Sequence, residues 1–184
     1  AVASFDGGTV AHIDPGSGAI SREVAVGGQP TDVLVTTDES AVWVALFDTG
    51  EVVRIDAGSF EVTDRVQVGN GPVGLWQDGG TLWVVNHPEG TVVSVDMASA
   101  TATNTFVVGA GPTAAVAFQG SLWVTVTDGG DLVQLDPATG DVITRTPLGT
   151  SNRGGPTGLA IGNGSLWVAM QGERSVVRVT PSAG

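Results

Sequence analysis

Apolar and polar positions alternate in short runs along this chain, and the runs come in fours. Within residues 73–109 they read VGLWQ, TLWVVN, TVVSVD and ATNTFVVG, separated by GG, HPEG and ASA and closed by GAGP. Valine, threonine, leucine and tryptophan fill the runs, and glycine, proline and small polar residues divide them. Such runs predict short antiparallel strands joined by tight turns. No stretch sustains a period of 3.6, so helices are not expected.

The group of four recurs along the chain. Trp43, Trp83, Trp123 and Trp167 stand 40, 40 and 44 residues apart, inside the phrases AVWVAL, TLWVV, SLWVTV and SLWVAM. Pro30, Pro72, Pro112 and Pro156 keep the same step, at 42, 40 and 44. A third marker, an Asp closing an apolar run, appears as Asp14, Asp56, Asp96 and Asp136. Four strands in each period of about 40 residues are the signature of a β-propeller blade. The predicted fold is therefore all-β, a propeller of four-stranded antiparallel blades forming a single domain over 1–184. Its units are placed at 1–30 (partial), 31–72, 73–112, 113–156 and 157–184 (partial). A strand within a blade is covered on both faces, so a bulky side chain at one depth in every copy fills the space between blades. Trp43, Trp83, Trp123 and Trp167 are accordingly read as packing wedges. The four Asp residues precede PGSG, AGSF, MASA and PATG, where a short acceptor closes a turn.

The combination LWV, then G-x-V-x-x-I-D-P-x-x-G, then V-x-V-G-x-G-P-T-G-L-A resembles the YVTN or YncE-like propeller repeats, and is similar to streptogramin (virginiamycin B) lyase. Residues 121–149, SLWVTVTDGGDLVQLDPATGDVITRTPLG, match best, and the resemblance runs through the whole chain. It implies an exported binding or scaffold module, or a domain joined to others. When Ala1 is aligned with the Trp position, the chain opens in a second strand and ends in a third, with 18 strands expected, or about 4.5 blades. The resemblance implies seven blades. The chain is thus expected to be part of a larger propeller, to be completed by another copy through open blade edges, or to close as a small ring.

Composition excludes several classes. Seven Arg, no Lys and 19 acidic residues give a net charge of −12, and the arginines are dispersed, so nucleic acid and anionic lipid are not expected partners. No apolar run reaches the roughly 18 residues that a membrane span needs, and no basic-then-apolar leader opens the sequence. Without cysteine, neither disulfides nor thiolate chemistry is available. An acidic, cysteine-free chain with an N-x-S sequon at Asn163 suits an extracellular or periplasmic protein.

Candidate chemistry lies where the repeat is broken. The loops between second and third strands read FDGGT, FDTGE, HPEGT, TDGGD and QGERS, so Asp6, Asp48, Glu89, Asp128 and Glu173 form a recurring acidic rim, which is read as solvated or as a site for cations and amines. His87 stands where other copies have Phe5, Phe47, Thr127 and Gln171, two residues from Glu89. A His with a carboxylate suits a general base or a metal ligand. The lyase resemblance would add magnesium and a second rim His, yet His12 falls at a mid-strand position. The expectation is therefore no catalytic residue, no metal and no cofactor, with magnesium reserved for a lyase-like alternative built on His87 and Glu89. Trp76, on an innermost strand, could fill or gate the channel. Arg153, in the longer interblade loop TSNRGGP, could receive a carboxylate ligand or pair with the acidic rim. The leading functional reading is a non-enzymatic module for binding or assembly, with a protein or small-molecule ligand. A filament or sheath subunit is a further alternative.

Overall fold

The computed structural model describes residues 1–149 and 154–181. Its 18 strands form five antiparallel sheets, in each of which sequence neighbours are hydrogen-bonded neighbours. The first sheet holds β1 (Val2–Ser4), β2 (Thr9–Ile13) and β3 (Ile20–Ala25). The second holds β4 (Pro30–Val35), β5 (Ala41–Leu46), β6 (Glu51–Asp56) and β7 (Val62–Gln67). The third holds β8 (Pro72–Asp78), β9 (Thr81–Asn86), β10 (Thr91–Asp96) and β11 (Thr101–Val107). The fourth holds β12 (Pro112–Phe118), β13 (Ser121–Val126), β14 (Asp131–Leu135) and β15 (Val142–Pro147). The fifth holds β16 (Pro156–Gly162), β17 (Ser165–Met170) and β18 (Ser175–Val179). The chain does open in a second strand and close in a third, as the repeat implies.

Register places each tryptophan at one spot in its sheet. Trp43 pairs with Leu34 and Arg54, Trp83 with Trp76 and Ser94, Trp123 with Val116 and Gln134, and Trp167 with Ala160 and Arg178. Between sheets, the first strands β4, β8, β12 and β16 approach one another, while the outer strands diverge. The sheets therefore fan out from an axis lined by first strands. Four separate hydrophobic cores fill the four junctions between consecutive sheets.

Alternation decides which side chain serves which junction. Along β5 and β6, Trp43, Ala45 and Val52 look toward the third sheet and share a core with its Leu82, Val84, Val93 and Val95. The intervening Val42, Val44, Val53 and Ile55 face the first sheet and meet Val10 and Val26. The period of two thus gives each blade two apolar faces. Trp43, Trp83 and Trp123 are buried in these junctions. Trp167 departs from the expected wedge role: it is 37% exposed, because no sixth sheet covers its face among the described residues.

The turn carboxylates act as expected. Asp14, Asp56, Asp96 and Asp136 each accept backbone N–H groups two or three residues ahead, for example Ser17 N–H at 2.7 Å and Ser59 N–H at 2.8 Å. Three of these carboxyls, Asp14, Asp56 and Asp96, are held below the ordinary range, chiefly by the backbone N–H of the serine three residues on.

Candidate functional site

The rim of the fan is built from two sets of loops, those joining second to third strands and those joining one sheet to the next. Backbone bonds knit the two sets together in every complete sheet. Phe47 N–H donates to Gln29 O, His87 N–H to Gly71 O and Thr127 N–H to Gly111 O, at 2.8–3.0 Å. The interblade turn needs glycine: Gly69 and Gly109 take φ of 115° and 122°, a region closed to side chains, and a Cβ on Gly69 would run into Glu89.

The rim acids reach back to the loop entering their own blade. Asp48 accepts the Gln29 N–H at 2.7 Å, and Glu89 accepts the Asn70 N–H at 2.8 Å. Asp128 stands over Gly111 and Glu173 over Gly149, the corresponding entering segments. Asp6 lies exposed in the first such loop. Thus Asp48 and Glu89, placed by sequence on a free acidic rim, hold loop backbone.

The residue opening each of these loops reaches the other way, to the next blade. His87 Nδ1 lies 3.1 Å from Pro112 O, and Thr127 Oγ1 donates to Pro156 O at 2.7 Å. Phe47 packs beside Gly71 at the same place. A carbonyl only accepts, so His87 carries its proton on Nδ1 and leaves the Nε2 lone pair free when neutral. His87 and Glu89 therefore engage opposite neighbours, and no ion pair joins them. His87 and Asp128 both border Gly111, where a Cβ would stand 3.1 Å from His87 Cε1 and 2.5 Å from Asp128 Oδ2. Among the described residues, no three His, Cys, Asp or Glu side chains converge as a metal site would require. His12 sits far from this rim, bonded to Ser21 Oγ at 2.6 Å and edge-on to Phe60.

Trp76 packs, half-buried, against the cores that contain Trp83 and Trp123. Arg153 lies outside the described residues.

Three polar residues escaped the sequence reading. Asp32, on innermost strand β4, accepts the Leu75 N–H of the next blade at 2.8 Å and its neighbour Val33 N–H at 2.9 Å. Burial raises its pKa, opposed by these two N–H donors. Its signal was present, since the other copies carry Gly74, Ala114 and Gly158 at this position. Arg65 and Arg145, two blades apart, each donate to an interblade carbonyl, Val26 O and Val108 O, both at 2.7 Å. They also pair with Glu51 at 3.3 Å and Asp131 at 3.8 Å.

Among the clefts of the described residues, one lies away from the rim and another reaches the rim loop at 171–175. One of about 250 Å³ opens beside the Thr36–Ser40 turn and takes in Trp43, Arg54, Gln77 and Met97. There Asp38 is held down to about 2, first by the Thr36 hydroxyl and then by Ser40. The other, about 530 Å³, lies on the fifth sheet and takes in Thr157, Ala169, Met170, Gln171, Arg174 and Val176.

Comparison with solved structures identifies the architecture. A streptogramin B lyase superposes with a TM-score of 0.77 at 17% identity, covering 96% of this chain and 63% of that one. The β-propeller domain of Myceliophteria thermophila Cps50 (Swd1) gives 0.78 at 15% identity, covering 96% and 62%. This chain is a β-propeller repeat protein. BamB from Moraxella catarrhalis gives a TM-score of 0.72 at 18% identity, covering 92% of this propeller and 51% of that chain. The propeller described here thus spans less than two thirds of each of these three structures. At such identities the likeness carries the fold alone. No family model matches the sequence, and no curated protein matches it.

Proposed function

We propose that the chain is a non-enzymatic propeller module that works by binding or assembly outside the cytoplasm. The observation that carries this reading is the rim, where Asp48, Glu89, His87 and Thr127 are engaged in loop-to-loop bonds that fix one blade against the next. An extracytoplasmic setting is supported by the cysteine-free acidic sequence and by Asn163, which sits in an exposed turn between β16 and β17.

A lyase-like activity with magnesium is the second reading. The Nε2 of His87, which has no partner among the described residues, favours it, and the commitment of Glu89 to Asn70 weighs against the His87 and Glu89 pair. Incubation with a streptogramin B antibiotic and magnesium, followed by chromatography, separates the two. The binding reading expects antibiotic to disappear no faster than in buffer. Turnover that is lost in His87→Ala with the fold intact would install the lyase in its place.

A further inference from the structure

The hairpins that join first to second strands break the repeat once. In the third, fourth and fifth sheets the connection is a two-residue turn, at 79–80, 119–120 and 163–164, whereas the second sheet uses four residues, 37–40. This departure falls beside a tryptophan. Trp123 and Trp167 donate their Nε1–H to the last residue of the first strand, Phe118 O at 3.3 Å and Gly162 O at 3.0 Å. By register the same carbonyl in the second sheet is Thr36 O, which accepts the Glu39 N–H inside the longer turn at 2.8 Å. The Trp43 Nε1–H is left buried with no acceptor among the described residues. Trp83 shares this lack, but its ring belongs to the following junction, among Leu122 and Val124.

The cleft of about 250 Å³ opens at this turn, between the second and third sheets, each of which is packed on both faces. Trp43 lines it together with Asp38, Ser40, Arg54, Gln77 and Met97. Its polar groups are fixed by the fold. The Thr37 N–H donates to Gln77 Oε1 at 2.9 Å, which ties the turn to the third sheet, and the Asp38 carboxylate accepts the Thr36 hydroxyl at 2.6 Å and the Ser40 N–H at 3.2 Å. Arg54 stands 3.8 Å from Asp64, beyond hydrogen-bond reach, so among the described residues no hydrogen bond occupies its guanidinium. An occupant must therefore accept from Trp43 and Arg54 and donate to Asp38. A carboxylate only accepts and would meet Asp38 as a like charge, whereas an ammonium only donates and leaves the indole unanswered. A hydroxyl does both, and a ring bearing several of them serves all three groups while its C–H face meets Met97.

We propose that this cleft binds a neutral sugar, with hydroxyls that accept from the Trp43 Nε1–H and Arg54 and donate to Asp38. The indole is sealed from water at rest, so seating the sugar moves the turn at 37–40 away from Gln77. The proposal rests on the binding reading and names a ligand class for it, at a place apart from the rim.

The five tryptophans give five indole N–H signals in a nitrogen-labelled sample, and Trp43→Phe identifies that of Trp43 while keeping an apolar ring. Glucose, galactose and mannose are titrated in turn, each beside its amino-sugar and uronic-acid counterpart. At least one neutral hexose is expected to move the Trp43 signal, half-saturating at about 1 mM, with the other four signals still. Its two charged counterparts are expected to bind at least fivefold more weakly. Arg54→Gln is expected to weaken the response about tenfold, since one of two donors to the sugar is lost. A chain in which residues 37–40 are replaced by the dipeptide Asn-Gly, the turn of the fifth sheet, is expected to keep its circular dichroism spectrum and lose the response. A Trp43 signal that moves with no neutral hexose means that water alone fills the cleft. That result, a stronger response to the charged counterparts, or a response that survives in Arg54→Gln and in the short-turn chain overturns the sugar site and leaves the binding reading standing. That reading fails by the separate appearance of His87-dependent turnover.

Discussion

An indole sealed between two sheets and the same indole at a free face differ in what their removal costs. Trp123 is buried against the fifth sheet and donates its Nε1–H to Phe118 O at 3.3 Å. Trp123→Ala opens a cavity that neighbouring sheets cannot refill, and a loss of about 3–5 kcal/mol is expected from the urea midpoint. Trp167→Ala in dilute protein should cost roughly 1 kcal/mol, because much of that side chain already meets water. Asp38 supplies a second residue-level expectation. Its pKa is depressed from 3.8 to about 2, so its contribution to stability is fully present above 3.8 and disappears as pH falls through about 2. Asp38→Ala should therefore unfold at lower urea than the native chain at neutral pH, and the gap should narrow as pH is taken down toward 2.

At the level of strands and loops, the rim is a device for fixing one blade against the next. A rim acid fastens the entering loop, the loop-opening residue reaches the following blade, and Asp32 and Leu75 tie neighbouring innermost strands together. Removing one fastening should loosen one loop. Glu89→Ala should speed hydrogen exchange at the Asn70 amide roughly fivefold, the equivalent of about 1 kcal/mol for one hydrogen bond, while the amides of β9 and β10 stay unchanged. Exchange spreading through the whole third sheet would mean that Glu89 holds more than its loop. The direction of each side chain was not legible from the sequence. Asp48 and Glu89 sit at different positions of their loops, FDTGE and HPEGT, yet both reach a backbone N–H of the entering segment. Spacing brought His87 next to Glu89, whereas loop curvature turned them apart, His87 to Pro112 O and Glu89 to the Asn70 N–H.

Across the whole molecule, a stack of sheets in which each touches only its neighbours loses stability from its ends. The third sheet is covered on both faces, and the first and fifth are covered on one. Amide exchange by mass spectrometry in dilute protein should therefore be slowest in β9 and β10 and fastest in β1 to β3 and β16 to β18. Uniform exchange through all five sheets would instead indicate one cooperative unit.

The forty-residue rhythm by itself determined the strand order, the blade count, the buried depth of Trp43, Trp83 and Trp123, and the turn role of the Asp series. Each of these depends on residues near one another in sequence and on a period of two that fixes which side chain faces which junction. The tertiary structure alone decided where polar side chains find their partners. The partners of Glu89, His87, Asp32 and Arg65 lie 19, 25, 43 and 39 residues away, on other loops and other blades. It also decided that Trp167 stands open, since a repeat specifies the face a residue occupies and not whether another sheet lies against it.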